Sequence, residues 1–501
     1  MAARGCRHVG QRGIFASGHL RLQATPTPAV APRHGRRRGP VLTTGDTTGK
    51  NMENITGVLA AYMANARFEH LPEHVVQHTK FRVLDTLAAM ISGSRLKAGV
   101  EAIRYARAQG GTQESSIVAT DLMTSASNAA LVNGMFAHAD ETDDFEPTTK
   151  AHPGSHVVPA ALAMAQRKNS SGSDMIVAVA LGYDLCCRFL LALGPDLVRG
   201  SHRSAEGTSS TMGAVGAAAY LAKLDEAGMR YALSYASQQV SGIWSWVRDA
   251  DHVEKAFDFA GMGARNGVTA AIMAELGFTG VWDVLDGEHN ALIALSSNPV
   301  PSEMIKQLGE RYLVTETSIK PFSVGYPIQA PLSAFLDLLR THRLTPDMVE
   351  SIKVRLPADG ARIVNNRAMP DVNCQYVIAV ALIDGAVTFE SSHSHDRMKD
   401  PLVKQIMGKI ELLADPALMI PEAPRSGHVE IFLKDGRSVN QFVRHAPGTK
   451  ENPMDAAQVN EKAASLIGPI LGPSRTETLI TLIGSLEKMK SVQELRELLQ
   501  G

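Results

Sequence analysis

The densest group of side chains that could carry out chemistry lies at residues 138–156 (HADETDDFEPTTKAHPGSH), which hold five carboxylates, three histidines and one lysine. Carboxylates and imidazoles are the side chains that move protons near neutral pH. Because the segment lies between two apolar helical patterns, we expect a loop on a rigid scaffold, where functional residues concentrate. Its spacing matches neither HExxH nor an EF-hand, so a solvated acidic loop with helix caps is the alternative interpretation.

His152 is the most suggestive residue of this segment because it precedes a predicted helix that begins at Val157. The turn between them, His152-Pro153-Gly154-Ser155, would place the imidazole beside the N–H groups at the positive end of that helix. Such a position suits an anionic ligand and a proton donor. We therefore predict that this turn contributes to an anion-binding site.

Three further candidates lie in apolar segments. They are Lys255 in VEKAFDFAG (253–261), Lys320 in SIKPFSVGYP (318–327) and Tyr376 in VNCQYVIA (372–379). Each also has an ordinary interpretation. Lys255 would be a surface lysine, Lys320 a lysine whose stem covers apolar surface, and Tyr376 a core residue with a satisfied hydroxyl.

Motifs for nucleotide cofactors, serine nucleophiles and metal ions are missing from the sequence. There is no GxSxG, no Walker loop, and no GxGxxG between a strand and a helix. The four cysteines, Cys6, Cys186, Cys187 and Cys374, show no ligand spacing. We therefore expect neither a cofactor nor a metal, and so few cysteines indicate a reducing compartment.

Helical periodicity dominates the scaffold from Met52 to residue 312. Leu84, Leu87, Ala88 and Ile91, for example, repeat at i, i+3, i+4 and i+7. Ala- and Gly-rich segments such as 211–222 (TMGAVGAAAYLA), together with an aromatic content of 5%, predict a bundle of closely packed helices. The longest apolar stretches, 176–182 and 213–222, fall short of the ~18–20 residues that span a bilayer, so we expect no membrane segment.

The pattern changes to strand-like alternation after residue 313. VEIFL (429–433) and SVNQFV (438–443) flank Asp435-Gly436, which predicts a β-hairpin, and SIKVRL (351–356) alternates too. Helical periodicity returns after Pro453. The fold class is therefore mainly α with an α+β part: a helical domain at 52–312, an inserted α+β domain at 313–450, and C-terminal helices at 451–501 that return to the helical domain.

The net charge of −1 is the sum of two unlike parts. Residues 1–50 carry eight arginines and one lysine against one acid, a net of +8, so the other 451 residues carry −9. The acidic body gives no support for nucleic-acid binding. We expect residues 1–51 to be a disordered leader, Met52 to be the natural start and the protein to be cytoplasmic. The alternative is a mitochondrial transit peptide that directs the protein to the matrix.

Five segments together resemble the MmgE/PrpD family over roughly residues 53–500. They are HADETDD (138–144), AHPGSHVVPAAL (151–162), EKAFDFAG (254–261), SIKPFSVGYPIQA (318–330) and NCQYVIAVALIDG (373–385). The family contains 2-methylcitrate dehydratases, cis-aconitate decarboxylases and an epimerase of a small dicarboxylate. The resemblance implies a homodimer of helical and lid domains. It also implies a cofactor-independent lyase of a small di- or tricarboxylate, with a hydro-lyase preferred over a carboxy-lyase.

The resemblance also implies roles for individual residues. His152 and Tyr376 would move a proton at the carbon next to a carboxylate, and Lys255 and Lys320 would hold carboxylates and stabilise enolate charge. The acidic motif of the family falls on Glu141, Asp143 and Asp144. Glu141 and Asp144 would orient His152 or accept a substrate hydroxyl, and Asp143 and Ser155 are further expected substrate-binding residues.

This sequence departs from the family pattern at three positions. Phe145 replaces a threonine after the paired acids, and Gly325 stands where decarboxylase members have a histidine five residues after the second lysine. A further family histidine falls near Gly207. The departures leave dehydration, decarboxylation and epimerisation open. They also motivate a fourth interpretation, a catalytically silent carboxylate-binding protein.

Overall fold

A computed structural model describes residues 54–501, so the predicted leader at 1–51 lies outside the described residues. Helices dominate this range, and a four-stranded sheet and a two-stranded sheet accompany them. The predicted fold class, mainly α with an α+β part, is confirmed.

Residues 54–300 form helices and one short hairpin. The strands of the hairpin are β1 (Ser115–Ser116) and β2 (Met123–Thr124). The helices are α1 (Ile55–Asn65), α2 (Glu73–Gly93), α3 (Lys97–Gln109), α4 (Ala126–Ala137), α5 (Gly154–Lys168), α6 (Gly172–Leu193), α7 (Pro195–Gly200), α8 (Ala205–Leu221), α9 (Glu226–Gln238), α10 (Val253–Ala256), α11 (Met262–Glu275) and α12 (Ala291–Leu295).

Small residues let helices α6, α8 and α11 pack with their backbones close together at the centre of this part. Every residue of α8 is buried. A Cβ on Gly182 of α6 would lie 2.8 Å from the carbonyl oxygen of Gly213 in α8, and a Cβ on Gly267 of α11 would lie 2.4 Å from the amide nitrogen of Val215. Both distances are too short for real side chains, so larger residues there would push the helices apart.

Helix α6 corrects the expectation about apolar stretches. By length and composition it is the one helix among residues 54–501 that could cross a membrane, with a mean hydropathy of 2.0, yet 94% of its apolar window is buried in the fold. The apolar stretch identified in the sequence, 176–182, stops before the charged residues Asp184 and Arg188, which here lie one helical turn apart and pair at 3.5 Å in the interior. Such burial is that of a core helix.

The second part of the chain surrounds the four-stranded sheet, whose strand order is β4-β3-β5-β6. Strand β3 (Val349–Leu356) pairs parallel with β4 (Ile410–Ala414) and antiparallel with β5 (Gly427–Leu433), which pairs antiparallel with β6 (Ser438–Val443). The helices of this part are α13 (Gln329–His342), α14 (Ala358–Val364), α15 (Cys374–Asp384), α16 (Phe389–His393) and α17 (Pro401–Met407). The predicted hairpin is β5–β6, and its Gly436 has a φ of +87° that glycine tolerates.

Helices α18 (Ala456–Leu471) and α19 (Pro473–Gly484) pack back onto the first part. Their apolar side chains join a hydrophobic core that also contains α1 to α8, whereas residues 324–433 surround a second core. Lys462 of α18 also donates to Asp85 of α2 at 2.6 Å and to the carbonyl of Thr142 at 3.0 Å. The C-terminal helices therefore support the polar segment 138–156. The division into domains at residues 312 and 450 stays a prediction.

Candidate active site

The polar loop between α4 and α5 is buried rather than solvated. Its residues 138–146 are all buried, and the loop is tied across the chain by the backbone of Phe145, which exchanges hydrogen bonds of 3.0 and 2.7 Å with the backbone of Ser318. This pairing places Lys320, two residues further on, beneath the loop. The interpretation of 138–156 as a solvated acidic loop is therefore wrong for its first half.

Asp143 joins two imidazoles. One of its carboxylate oxygens lies 2.9 Å from Nδ1 of His138 and 3.2 Å from Nδ1 of His152. Burial alone would raise the pKa of Asp143, but His138, His152 and Lys320 hold it well below its ordinary range. Because the ionised carboxylate only accepts hydrogen bonds, Nδ1 of His152 carries a proton, and burial lowers the pKa of this imidazole. His152 is therefore neutral near pH 7, with Nε2 as an acceptor.

Glu141 lies between the two candidate lysines. Its carboxylate pairs with Lys255 Nζ and lies 3.4 Å from Lys320 Nζ, and Lys320 also donates to the Glu141 carbonyl at 2.9 Å. Burial would raise the pKa of Glu141, but the two lysines hold it well below its ordinary range. Lys320 is completely buried, and burial, which would lower its pKa, is outweighed by Glu141 and Asp143, which raise it.

Lys255 owes its position to irregular backbone. It lies in the four-residue helix α10, and a π-helical turn at Phe257–Gly261 follows. Such turns are rare and frequently mark functional sites. The Lys255 ammonium lies 5.1 Å from the ring centroid of Phe259 and 5.3 Å from that of Trp246. Lys255 is thus held by Glu141 and by two aromatic rings, whereas an ordinary surface lysine lacks such contacts.

Asp144 and Ser155 secure the loop instead of facing the cavity described below. Asp144 accepts hydrogen bonds from the Gly154 amide at 2.9 Å and from the Tyr183 hydroxyl at 2.8 Å, and Ser155 Oγ donates to the His152 carbonyl at 2.8 Å. Burial raises the pKa of Asp144 to about 6. The anion at the start of α5 is therefore this side chain, so the expected ligand position there is already taken.

Tyr376 lies apart from the other candidates. Its hydroxyl donates to the Ser391 carbonyl at 2.5 Å, and its ring is buried in the second core. Burial raises its pKa to about 12. The structure therefore supports the ordinary interpretation of Tyr376, a core residue with a satisfied hydroxyl, and gives no support to a role in proton transfer.

A cavity of about 870 Å³ lies where the two cores meet. Glu141, His152 and Lys255 line it, and Asp143 and Lys320 lie directly behind them. Five of the eight predicted site residues are thus brought together, three in the wall and two in support.

Aromatic rings form much of the wall next to His152. The ring of Phe145 lies 5.2 Å from the imidazole of His152 and 4.1 Å from the ring of Tyr326, measured between centroids. Gly325 lines the cavity beside Tyr326. Two of the positions that depart from the family pattern, Phe145 and Gly325, therefore shape the cavity directly.

Sequence reasoning missed several charged residues of the cavity wall. Lys150, Arg199, Arg367 and Arg425 line it, as do Glu206 and Asp249. Lys150 belongs to the polar segment 138–156 and could have been considered, but the arginines come from segments with no local signal of function.

Two groups of side chains have donor atoms close enough together to surround a cation. One is His138, Asp143 and His152, and the other is His138, Glu141 and His252; within each group the atoms lie within 4.8 Å of one another. Both carboxylates, however, already lie within 3.5 Å of Lys320. The arrangement as it stands offers side chains that could take part in proton transfer and anion binding.

Two family models together match most of the chain. The model of the MmgE/PrpD N-terminal domain matches residues 57–303, and that of the MmgE/PrpD C-terminal domain matches residues 322–488. The chain belongs to the MmgE/PrpD family. The resemblance inferred from the sequence motifs is confirmed. All the residues that line the cavity lie within the two matched regions.

Individual relatives in this MmgE/PrpD family align over most of their length. The cis-aconitate decarboxylase of Homo sapiens is 26% identical over 471 residues, which is 90% of this chain and 95% of the relative. That of Mus musculus is 24% identical over 474 residues, covering 90% and 94%. A cis-aconitate decarboxylase of Aspergillus terreus is 23% identical over 483 residues, covering 89% and 96%.

Proposed function

We propose that the protein is a lyase that acts on a small di- or tricarboxylate by proton transfer at His152. One observation carries the proposal: Asp143 holds Nδ1 of His152 at 3.2 Å, which leaves Nε2 of a neutral imidazole for a cavity that also contains Lys255. Membership in the MmgE/PrpD family and the decarboxylase relatives support a lyase.

Loss of water would use His152 as a base. Nε2 accepts the proton from the carbon next to a carboxylate, and the electron pair of that C–H bond moves into the carboxylate as an enediolate, whose charge Lys255 offsets. The neighbouring C–O bond then breaks, and the imidazolium returns the proton to the departing hydroxyl, so that an alkene and water are formed. The neutral state of His152 favours this role, and it agrees with the hydro-lyase preference of the sequence analysis.

Loss of CO₂ is the second candidate, and the relatives favour it because they are named cis-aconitate decarboxylases. Here the C–C bond to a carboxylate breaks, its electron pair delocalises into the adjoining unsaturated carboxylate, and a protonated His152 delivers a proton to carbon. Both reactions need the same cavity and the same imidazole, so they differ in the starting protonation state of His152.

The experiment incubates the protein with 2-methylcitrate and with cis-aconitate in D₂O and follows alkene formation, CO₂ release and deuterium incorporation by NMR. His152→Asn and Lys255→Met are expected to lower turnover by about 100- to 10,000-fold. The exposed His395→Gln is the matched control. Deuterium exchange without loss of a group identifies an epimerase instead. Binding with neither exchange nor group loss identifies a silent homologue, and full activity of both site variants rejects the role of His152.

A further inference from the structure

Three cationic side chains from distant segments of the chain line the same cavity as Lys255. Lys150 belongs to the loop before α5, Arg199 to α7, and Arg425 to the loop before β5. Both arginines lie close enough to Lys150 for their positive charges to lower the pKa of its amine. Two of the cations come from the helical part of the chain and one from the part with the four-stranded sheet.

Arg199 and Arg425 each have a partner within the protein, but these partners do not engage every N–H donor of the two guanidinium groups. Arg199 pairs with Glu206 and lies over the ring of Trp244, and Arg425 donates to Asp359 at 2.7 Å. Both guanidinium groups nevertheless keep a buried Nε–H that has no acceptor among residues 54–501, and the Arg425 side chain is only 8% exposed. A buried N–H without an acceptor is costly, which makes each of them a position for a ligand oxygen.

Lys150 is held among these charges by its backbone. Its φ of +67° is uncommon for a residue other than glycine, and its Nζ donates to the Pro147 carbonyl at 2.6 Å. Burial first, and then Arg425 and Arg199, lower its pKa to about 7, although Asp359 and Glu146 act in the opposite sense. A bound anion would offset this repulsion and favour the charged ammonium.

We propose that Lys150, Arg199 and Arg425 form a second anion subsite, which binds a carboxylate or phosphate group of the substrate remote from the group held at Lys255. The inference deepens the proposed function and rests on it for the reacting end of the substrate. Chemically, the subsite is a set of charge-assisted donors in a partly desolvated wall, an arrangement that favours planar or tetrahedral oxyanions.

The wall between the two ends indicates what joins them in the substrate. Arg425 lies close enough to Tyr326 for its charge to oppose the rise that burial causes in the pKa of the Tyr326 hydroxyl. The ring of Tyr326 packs against Phe145, which in turn packs against His152. A ligand that reaches from His152 to Arg425 therefore passes aromatic surface. We assign a substrate with two anionic ends and an apolar middle.

The test measures binding by isothermal titration calorimetry at pH 8 in buffers of different ionisation enthalpy, with citrate, butyrate and inorganic phosphate as probes. Because most Lys150 amines are neutral at pH 8, the wild-type protein is expected to take up several tenths of a proton for each citrate bound. Lys150→Arg, which is always charged, keeps the affinity and loses this uptake. Lys150→Met and Arg425→Gln weaken citrate binding about 10-fold or more and leave butyrate binding within about twofold.

The exposed Lys399→Met serves as the control for loss of one positive charge. Phosphate binding that depends on Lys150 while citrate binding does not supports the subsite and assigns it to a phosphate group. Equal affinity for citrate and equal affinity for phosphate in the wild-type protein, Lys150→Met and Arg425→Gln overturn the subsite, and so does the absence of binding by every anion. Since calorimetry needs no turnover, an inactive protein with Lys150-dependent binding rejects the proposed lyase and keeps the subsite.

Discussion

The imidazole Nε2 of His393 lies 3.0 Å from a carboxylate oxygen of Asp140. His393 ends α16 beside the second core, whereas Asp140 belongs to the polar loop of the helical part. Burial would lower the pKa of His393, but the nearby carboxylate of Asp140, helped by Asp371, raises it to about 9. A charged histidine therefore links the two parts of the chain next to the cavity.

His393→Gln is expected to destabilise the protein most at low pH. Because the pKa in the folded state lies above the ordinary 6.5, the stabilisation is complete below about pH 6.5 and is lost as the pH rises through about 9. The size of the shift corresponds to about 3 kcal/mol. Urea unfolding at pH 6 and pH 9.5 measures it, with the exposed His395→Gln as the control. An equal loss of unfolding free energy at both pH values contradicts the charged pair.

Asp143→Asn is expected to lower kcat/KM about 100-fold or more, because an amide no longer fixes the proton on Nδ1 of His152. Burial lowers the pKa of His152 and the carboxylate of Asp143 raises it, so the wild-type activity falls only below pH 6.5 and the variant falls at a still lower pH. A pH–rate profile from 5 to 9 tests this, with the 96% exposed Asp396→Asn as the control. An acidic limb that moves upward speaks against Asp143 as the positioning residue.

Lys462→Met is expected to cost about 3–5 kcal/mol of unfolding free energy, because it leaves Asp85 buried without its partner. Burial already raises the pKa of Asp85, and Lys462 opposes this shift. The double variant Asp85→Asn with Lys462→Met should recover part of the loss. Chemical denaturation of Lys462→Met, Asp85→Asn and the double variant provides the measurement, with the exposed Lys450→Met as the control. A double variant as unstable as the sum of its parts shows that the pair does not interact.

Tyr376→Phe is expected to keep its turnover and to lose about 1 kcal/mol of unfolding free energy, since only the hydrogen bonds of its hydroxyl to the Ser391 and Ser394 carbonyls disappear. The assay is the one used for His152→Asn. A loss of turnover as large as that of His152→Asn would restore the proton-transfer role that the family resemblance implies for this tyrosine.

Local sequence patterns predicted the elements that depend on local rules. The β5–β6 hairpin follows from alternation around Asp435-Gly436. Strand β4 (IELLA) was missed because its burial does not alternate, and its pairing with β3 is a parallel, non-local contact. The apolar stretch within helix α6 was underestimated because the stretch 176–182 stops before Asp184 and Arg188, which pair with each other within the core.

The candidate site shows the same division between local and tertiary information. Glu141, Asp143 and His152 were found because they lie in one dense polar segment. Arg199 and Arg425 are 226 positions apart and meet only through tertiary packing, so no spacing could connect them. The homodimer, the cytoplasmic location and the carboxylate substrate stay predictions.

The pairing of Glu141 with Lys255 has a consequence for how a substrate binds. A carboxylate that arrives at Lys255 replaces a carboxylate already there, so this contact is an exchange of one counter-ion for another. Glu141 stays in the pocket beside Lys320 after this exchange, so the pocket gains the negative charge of the incoming carboxylate, and the lost pair with Glu141 reduces the affinity gained at Lys255. A substrate carboxylate therefore has to compete with the Glu141 carboxylate for Lys255.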